Sequence, residues 1–222
     1  MRYTHGGDIY TYGEMLDFSV NINPLGPSKN VLNAAKEALL QSAAYPDSRC
    51  RKLREKLAGC LHAEEKTFVF GNGAAELLYT LVLAEKPKKA LLPVPAFSEY
   101  EQALRTIECD IKYYQTTQNN YFCIDFDFLE ELSEEVDILF LCSPSNPSGK
   151  KMDLAFLREI ADRCEQYRIR FVLDECFLDF TGQEERSLIQ KTTAYKHLFI
   201  LKSFTKMYAM PGIRLGLSLI HI

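Results

Sequence analysis

The chain has 222 residues, of which 47% are hydrophobic and 25% are charged, so it has the composition of a globular protein rather than of a fibrous repeat or a disordered tail. The formal net charge is −4, from 26 basic and 30 acidic residues, and nucleic acid is therefore not expected as a partner. No apolar run approaches the roughly 20 residues that a membrane span needs, and the first residues lack the composition of a signal or transit peptide. We expect a cytoplasmic protein with no membrane partner.

The predicted elements begin with a polar arm, residues 1–28, that is punctuated by Gly and Pro. Helices are predicted over residues 29–41 and 49–60, separated by a proline that ends the first. From residue 67 onward, short apolar runs alternate with longer amphipathic segments, which predicts an α/β fold with a mainly parallel sheet. The predicted strands are 67–70, 90–94, 110–114, 137–142, 170–174 and 197–201, and the intervening helices are 74–84, 98–106, 126–132 and 153–167.

Seven cysteines and four histidines are spread through the chain. No CxxC pair is present, the cysteine count is odd, and no histidine spacing matches a metal motif. We therefore expect reduced, mostly structural thiols and no metal site.

The first polar motif is Gly71-Asn72-Gly73-Ala74-Ala75-Glu76, directly after a predicted strand and at the start of a helix. Free backbone N–H groups and the positive end of the helix dipole make such a turn suitable for an anion. It lacks the Lys-Ser/Thr of a Walker loop and the third glycine of a dinucleotide fingerprint. Taken alone, the motif is equally consistent with a simple strand-to-helix turn.

Two further motifs follow apolar strands. In Cys142-Ser143-Pro144-Ser145-Asn146-Pro147-Ser148-Gly149, two prolines bracket Asn146 and restrict the loop, although a proline-rich turn explains it equally well. Asp174 ends a strand that should be covered on both faces, and a buried carboxylate is costly unless it is paired. A helix cap or a satisfied loop carboxylate is the more common explanation for such a residue.

The fourth motif, Leu201 to Gly216, places Lys206 and Arg214 among apolar residues at the end of the last predicted strand and after it. In a parallel sheet all four motifs would meet at the carboxyl edge, where open α/β folds bind ligands. A phosphate-binding turn, a hydrogen-bond donor, a buried carboxylate and a lysine are the groups that pyridoxal 5'-phosphate requires.

The motif SFTK followed by PGIRLG resembles the fold-type I, pyridoxal-phosphate-dependent enzymes of the class I/II aminotransferase family. Within that family the chain is similar to the branch that contains histidinol-phosphate aminotransferases and threonine-phosphate decarboxylases. The resemblance covers nearly the whole chain and implies a three-layer α/β/α large domain. It divides the chain into a substrate-binding arm, residues 1–28, and a cofactor-binding large domain, residues 29–222.

The resemblance also implies roles for individual residues. Lys206 would bond covalently to the cofactor, and Asp174 would face its ring nitrogen; these are the two catalytic positions. Phe97 would stack on the ring, and Tyr45 would reach the phosphate of the neighbouring subunit of a homodimer. The positions expected to bind the cofactor are Tyr45, Gly73, Ala74, Phe97, Asn146, Asp174, Ser203, Lys206 and Arg214. The positions expected to touch the small phosphorylated amino-acid substrate are His5, Gly6, Asn21 and Asn146.

Two features favour the decarboxylase branch. The arm contains HGGDI and DFSVNINPLG, which resemble the start of threonine-phosphate decarboxylases, and Phe177 stands where the aminotransferases usually have a tyrosine. The resemblance thus implies decarboxylation of L-threonine O-3-phosphate to (R)-1-aminopropan-2-yl phosphate in cobalamin biosynthesis. Histidinol-phosphate aminotransferase and a non-catalytic cofactor-binding fragment remain alternatives. A nucleotide-binding oxidoreductase is disfavoured because the glycine turn is incomplete.

The end of the sequence departs from the family pattern. A strand should continue after Arg214, yet the chain stops at Ile222, and family members continue into a smaller domain that supplies an arginine for the substrate carboxylate. We therefore expect a truncated chain, with most of the small domain missing and the last few residues not native.

Overall fold

The computed structural model describes residues 6–13, 15–182 and 187–220. Its centre is a seven-stranded sheet with the order β1-β7-β6-β5-β4-β2-β3. The strands are β1 (Phe68–Asn72), β2 (Lys89–Val94), β3 (Asp110–Gln115), β4 (Ile138–Cys142), β5 (Arg170–Asp174), β6 (Leu198–Ser203) and β7 (Leu215–Ile220).

The direction of the strands determines where the polar motifs meet. Strands β3, β2, β4, β5 and β6 run parallel, whereas β7 is antiparallel to both β6 and β1. Strand β1 therefore points the same way as the parallel strands. In register, Cys142 of β4 pairs with Asp174 of β5, and Asp174 pairs with Leu201 of β6. The carboxyl ends of these strands consequently lie level at one edge of the sheet.

Helices cover both faces of the sheet. The α-helices of the described residues are α1 (Ile9–Tyr12), α2 (Lys29–Leu39), α3 (Arg51–Leu61), α4 (Gly73–Glu85), α5 (Ser98–Arg105), α6 (Leu154–Tyr167) and α7 (Phe204–Met207). The buried residues of α4 and α5 pack in one apolar cluster, and those of α6 pack in a second cluster together with partly buried residues of α3. Along β4 the side chains alternate between the two clusters, as a strand covered on both faces requires. The predicted three-layer α/β/α fold is confirmed.

The six predicted strands are all present, with bounds that differ by one or two residues. The clearest difference is at the end of the chain, where residues 215–220 form β7 between β1 and β6. Leu217, Ser218 and Leu219 are fully buried there. The expectation that this tail departs from the family pattern is wrong for residues 215–220, because the alternation of leucine with small residues fits an antiparallel strand. Residues 221–222 lie outside the described residues.

The helix predictions are less complete. The segment Phe126–Glu131 is a 3-10 helix rather than an α-helix, and α1 and α7, with four residues each, are too short to produce a helical period. Among the residues that the structure describes, five other 3-10 helices connect the elements: Glu65–Thr67, Gln118–Asn120, Leu178–Thr181, Ile189–Lys191 and Pro211–Ile213. No helix within the described ranges is long and apolar enough to cross a membrane.

Candidate active site

The turn between β1 and α4 is shaped by close backbone approach. Gly73 has φ +84°, and a Cβ at this position would collide with the guanidinium of Arg214. On the opposite side, a Cβ at Gly216 of β7 would collide with the carbonyl group of Gly73. The first turn of α4 has no side-chain cap at Asn72, so its backbone N–H groups remain available to an anion. This turn and Arg214 together form a candidate phosphate site.

Asp174, the last residue of β5, is held by two donors. The side chain is only 5% exposed. Its Oδ2 accepts a hydrogen bond of 2.6 Å from the Tyr100 hydroxyl, and its Oδ1 accepts one of 2.9 Å from the backbone N–H of Cys176. Because both oxygens are bonded, the carboxylate has a fixed orientation in the apolar surroundings.

Lys206 lies on the short helix α7, which follows β6 directly. Ser203 caps this helix, its Oγ accepting from the N–H of Thr205 at 3.2 Å and sharing a hydrogen bond of 2.6 Å with the Thr205 hydroxyl. The ammonium nitrogen of Lys206 lies 5.9 Å from the centre of the Phe177 ring. The lysine is half-buried and its ammonium group faces an aromatic ring, so it is partly shielded from solvent.

The N-terminal arm contacts both sides of the site. The Nδ2 of Asn21 donates to Oδ1 of Asn146 at 3.4 Å. Asn23 bonds to the helix of the lysine: its backbone N–H donates to the carbonyl of Lys206 at 3.1 Å, and its Nδ2 donates to the carbonyl of Met207 at 3.0 Å. The arm is thereby attached to two of the elements that carry candidate site residues.

These features surround one cavity of about 500 Å³ at the carboxyl edge of the sheet. Of the positions singled out in the sequence, it is lined by Gly6, Asn21, Ala74, Phe97, Asn146, Asp174, Ser203, Lys206 and Arg214. Gly73 is not a lining residue, but it lies against Arg214. The structure therefore brings together residues that are up to 208 positions apart between Gly6 and Arg214.

The remaining two predicted positions are Tyr45 and His5. Tyr45 is fully exposed and does not line the cavity. His5 lies outside the described residues, so its predicted role stays a prediction. Within the described part of the chain, no group of three or more His, Cys, Asp or Glu residues is arranged to hold a metal ion.

The cavity also contains residues that the sequence analysis did not single out, above all Tyr100, Cys142 and Cys176. Burial raises the pKa of each of these groups well above its ordinary value, and the nearby charge of Asp174 raises it further. All three are therefore neutral at neutral pH. Tyr100 lies on the apolar face of α5 and looks like an ordinary core aromatic. The one available signal was its hydroxyl, which needs a partner once it is buried.

A second buried polar cluster lies beside the site and fixes the segment after β5. Glu175 accepts hydrogen bonds from the Ser187 hydroxyl and the Leu188 N–H, and the buried Lys202 donates to Asp179 at 2.7 Å. Burial raises the pKa of Glu175, while the positive charge of Lys202 opposes that shift. This cluster holds the ends of β5 and β6 beside Asp174 and Ser203.

The residues of the cavity fit pyridoxal phosphate. Arg214, Ser203 and the first amides of α4 are suited to a phosphate, Asp174 is a buried carboxylate suited to a protonated ring nitrogen, and Lys206 supplies an amine. Phe97 lines the same cavity and offers an aromatic face. The fit rests on the buried carboxylate, which has two hydrogen-bond donors but no cation among its direct partners within the described part of the chain.

The sequence of the chain is similar to a known protein family and to several known proteins. Residues 13–221 match the family described as aminotransferase class I and II. The threonine-phosphate decarboxylase of Salmonella typhimurium is 36% identical over 220 residues, which are 96% of this chain and 60% of that protein. The adenosylcobalamin biosynthesis bifunctional protein CobDQ of Leptospira interrogans is 28% identical over 225 residues, covering 96% of this chain and 26% of its own length.

Among solved structures, the histidinol-phosphate aminotransferase of Clostridium acetobutylicum has a TM-score of 0.85 and is 30% identical. The match covers 93% of this chain and 60% of that one. The chain thus spans about 60% of the length of the decarboxylase and of the aminotransferase that it resembles.

Proposed function

Because the chain belongs to the aminotransferase class I and II family, whose members depend on pyridoxal 5'-phosphate, we propose that it is the cofactor-binding part of a decarboxylase acting on L-threonine O-3-phosphate. The product would be (R)-1-aminopropan-2-yl phosphate. The observation that carries the proposal is that Lys206 and the buried Asp174 line one cavity, together with the phosphate-binding turn and the N-terminal arm.

Each side chain has a defined task in this proposal. Arg214, Ser203 and the amides of α4 bind the phosphate of the cofactor and set its position, and Phe97 covers the face of its ring. The carboxylate of Asp174 keeps the proton on the ring nitrogen. When bound, pyridoxal phosphate supplies an electron sink for the bond broken at the substrate's α-carbon. The Nζ of Lys206 would hold the cofactor covalently and would carry a proton at that carbon.

The arm is the proposed substrate-binding region. Gly6 and Asn21 line the cavity, and Asn21 contacts Asn146, so a phosphorylated substrate would lie between the arm and the cofactor. His5 is proposed to contact the substrate phosphate. The identity to a threonine-phosphate decarboxylase, 36%, is higher than the 30% to the histidinol-phosphate aminotransferase, and this supports the proposed substrate. The similarity to an adenosylcobalamin biosynthesis protein supports a place in cobalamin biosynthesis. Phe177, whose ring faces Lys206, lacks the hydroxyl that the aminotransferases carry there.

The proposal is tested with purified chain loaded with pyridoxal phosphate. We expect a visible absorbance band, and carbon dioxide release when L-threonine O-3-phosphate is added. Lys206→Ala should abolish both. Lys196→Ala changes an exposed lysine outside the cavity and should leave both intact. Absence of the band in the unchanged chain would overturn cofactor binding. A band without carbon dioxide release would overturn the decarboxylase and support a non-catalytic cofactor-binding chain.

Histidinol-phosphate aminotransferase is the second candidate, favoured by the structural match with a TM-score of 0.85. The same preparation separates the two reactions. Amino transfer from histidinol phosphate to 2-oxoglutarate, in the absence of carbon dioxide release from the phosphorylated threonine, would replace the first proposal with the second.

We also propose a homodimer in which Tyr45 reaches the cofactor phosphate of the partner subunit. The full exposure of Tyr45 supports a role outside its own subunit. Sedimentation of the loaded chain measures the oligomeric state. Tyr45→Phe should weaken cofactor binding only if the chain is a dimer, and a monomer that binds the cofactor normally would contradict the proposal.

A further inference from the structure

Tyr100 connects the carboxylate of the candidate site to the aromatic wall of the same cavity. We infer that Tyr100 is a positioning residue, whose hydroxyl holds the Asp174 carboxylate in the orientation that faces the cofactor ring nitrogen. This inference rests on the proposed cofactor, and it adds a residue that the sequence motifs did not indicate.

The geometry places the hydroxyl against the carboxylate. Tyr100 is 1% exposed, and its oxygen lies 2.6 Å from Oδ2 of Asp174. Its ring stacks on Phe140, with centroids 5.2 Å apart and an interplanar angle of 18°. It also meets Phe97 edge to face, with centroids 5.6 Å apart and an angle of 87°. Because the ring is held on two sides, the hydroxyl cannot turn away from the carboxylate.

The direction of the hydrogen bond follows from the charges. Burial, reinforced by the charge of Asp174, raises the pKa of Tyr100 well above its ordinary value, so the hydroxyl keeps its proton and donates it. Two thiols, those of Cys142 and Cys176, also interact with the carboxylate, and burial raises their pKa values. The second donor to Asp174 is the backbone N–H of Cys176. The Tyr100 hydroxyl and this N–H therefore hold the two carboxylate oxygens in place, and neither donor is a cation.

Removing the Tyr100 hydroxyl should weaken the contact between Asp174 and the nitrogen of the cofactor ring. A buried carboxylate that loses one of two donors is less firmly oriented, so its contact with the ring nitrogen becomes weaker. The position of the Phe97 ring should change less, because its edge-to-face contact involves only the ring of Tyr100 and not the hydroxyl. Tyr100 thus acts on the cofactor through Asp174.

The test compares two tyrosines that each donate to an aspartate. Tyr100→Phe removes the bond to Asp174, and the matched control Tyr195→Phe removes a 2.7 Å bond from Tyr195 to Asp162, which does not line the cavity. In Tyr100→Phe we expect pyridoxal phosphate to bind about tenfold more weakly. We also expect the visible band of the bound cofactor to move toward that of Asp174→Asn. Tyr195→Phe should match the unchanged chain in both measurements.

A double-mutant cycle separates positioning from a general loss of structure. In the Asp174→Asn background, adding Tyr100→Phe should change cofactor affinity by less than about twofold, because the charged acceptor is already gone. Equal loss in both backgrounds, or a Tyr100→Phe band and affinity identical to the unchanged chain, overturns the inference. If the unchanged chain binds no cofactor, the proposed function falls together with the inference. If it binds but Tyr100→Phe has no effect, only the inference falls.

Discussion

The strands of the sheet and helices α2 and α3 were all predicted from their apolar residues, but their surroundings are very different. Every residue of β4 is buried, whereas no residue of α1, α2 or α3 is. In α2, Leu39 is 71% exposed although it belongs to a regular apolar stripe. That helix is supported by a local contact, the Ser28 hydroxyl accepting from the N–H of Val31. Apolar periodicity therefore predicts that a helix forms, and it does not predict that the helix is covered.

The largest expected difference between the two regions concerns leucine truncation. Leu139→Ala in β4 should lower the free energy of unfolding by about 2–5 kcal/mol, because it leaves a cavity in a fully buried layer. Leu39→Ala in α2 should change it by less than about 0.5 kcal/mol. Urea unfolding of both variants measures the contrast. Equal losses would show that α2 is packed in solution and would remove the distinction drawn above.

Replacing a glycine by alanine should lower the stability in one region and raise it in the other. In Gly216→Ala, the new Cβ would lie 2.6 Å from the Ala74 nitrogen and closer still to the Gly73 carbonyl, so we expect a loss of about 1–3 kcal/mol. In Gly59→Ala, no atom lies within 4 Å of the new Cβ, and α3 should gain about 0.5–1 kcal/mol from helix propensity. Thermal unfolding tests both signs. A tolerated Gly216→Ala would mean that the phosphate turn can move away from β7.

The arm joins the two regions through Asn23, and its side chain should have an intermediate effect. Asn23→Ala removes the bond to the Met207 carbonyl and the one that Asn23 accepts from the Leu25 N–H, so we expect a loss of about 1 kcal/mol. Proteolysis of the arm should become faster in the same variant. The exposed Asn119→Ala serves as the control. Equal proteolysis rates would show that the arm is not held by these bonds.

The smallest expected effects are on the pH dependence of stability, and the two carboxyl groups concerned act in opposite directions. Burial raises the pKa of Glu175 above 4.5, so the folded chain binds this proton more tightly than the unfolded chain. The Glu175 contribution to stability is present below pH 4.5 and is lost as the pH rises through the raised pKa. The hydrogen bond from Arg51 lowers the pKa of Asp47 from 3.8, so its contribution is present above that pH and is lost as the pH falls.

Unfolding experiments across pH check both signs. Glu175→Gln should remove the loss of stability that occurs as the pH rises. Asp47→Asn should remove part of the loss of stability in acid. The Glu175 assignment would be wrong if Glu175→Gln showed the same decline with rising pH as the unchanged chain.

Much of the fold was predictable because it depends on local patterns. Six of the seven strands were found, since a strand such as β4, covered on both faces, is a continuous apolar run bounded by polar turns. The resemblance implied a strand after Arg214, but the residues themselves predicted no bounds for β7, because its mixture of leucine, glycine and serine gives no clear strand pattern until β1 and β6 are known to flank it. Helices α1 and α7 contain a single turn and leave no period to detect.

For the site, the sequence by itself determined which chemical groups were available. Lys206, Asp174, Asn146 and the turn before α4 each follow an apolar strand, and a parallel sheet brings such positions to one edge. Only the tertiary structure decided what each group contacts. Tyr100 meets Asp174 across 74 residues, and Asn23 meets the lysine helix across more than 180. Periodicity reports which face of an element is apolar, whereas a hydrogen bond between distant residues depends on how whole elements pack, and no local pattern encodes that.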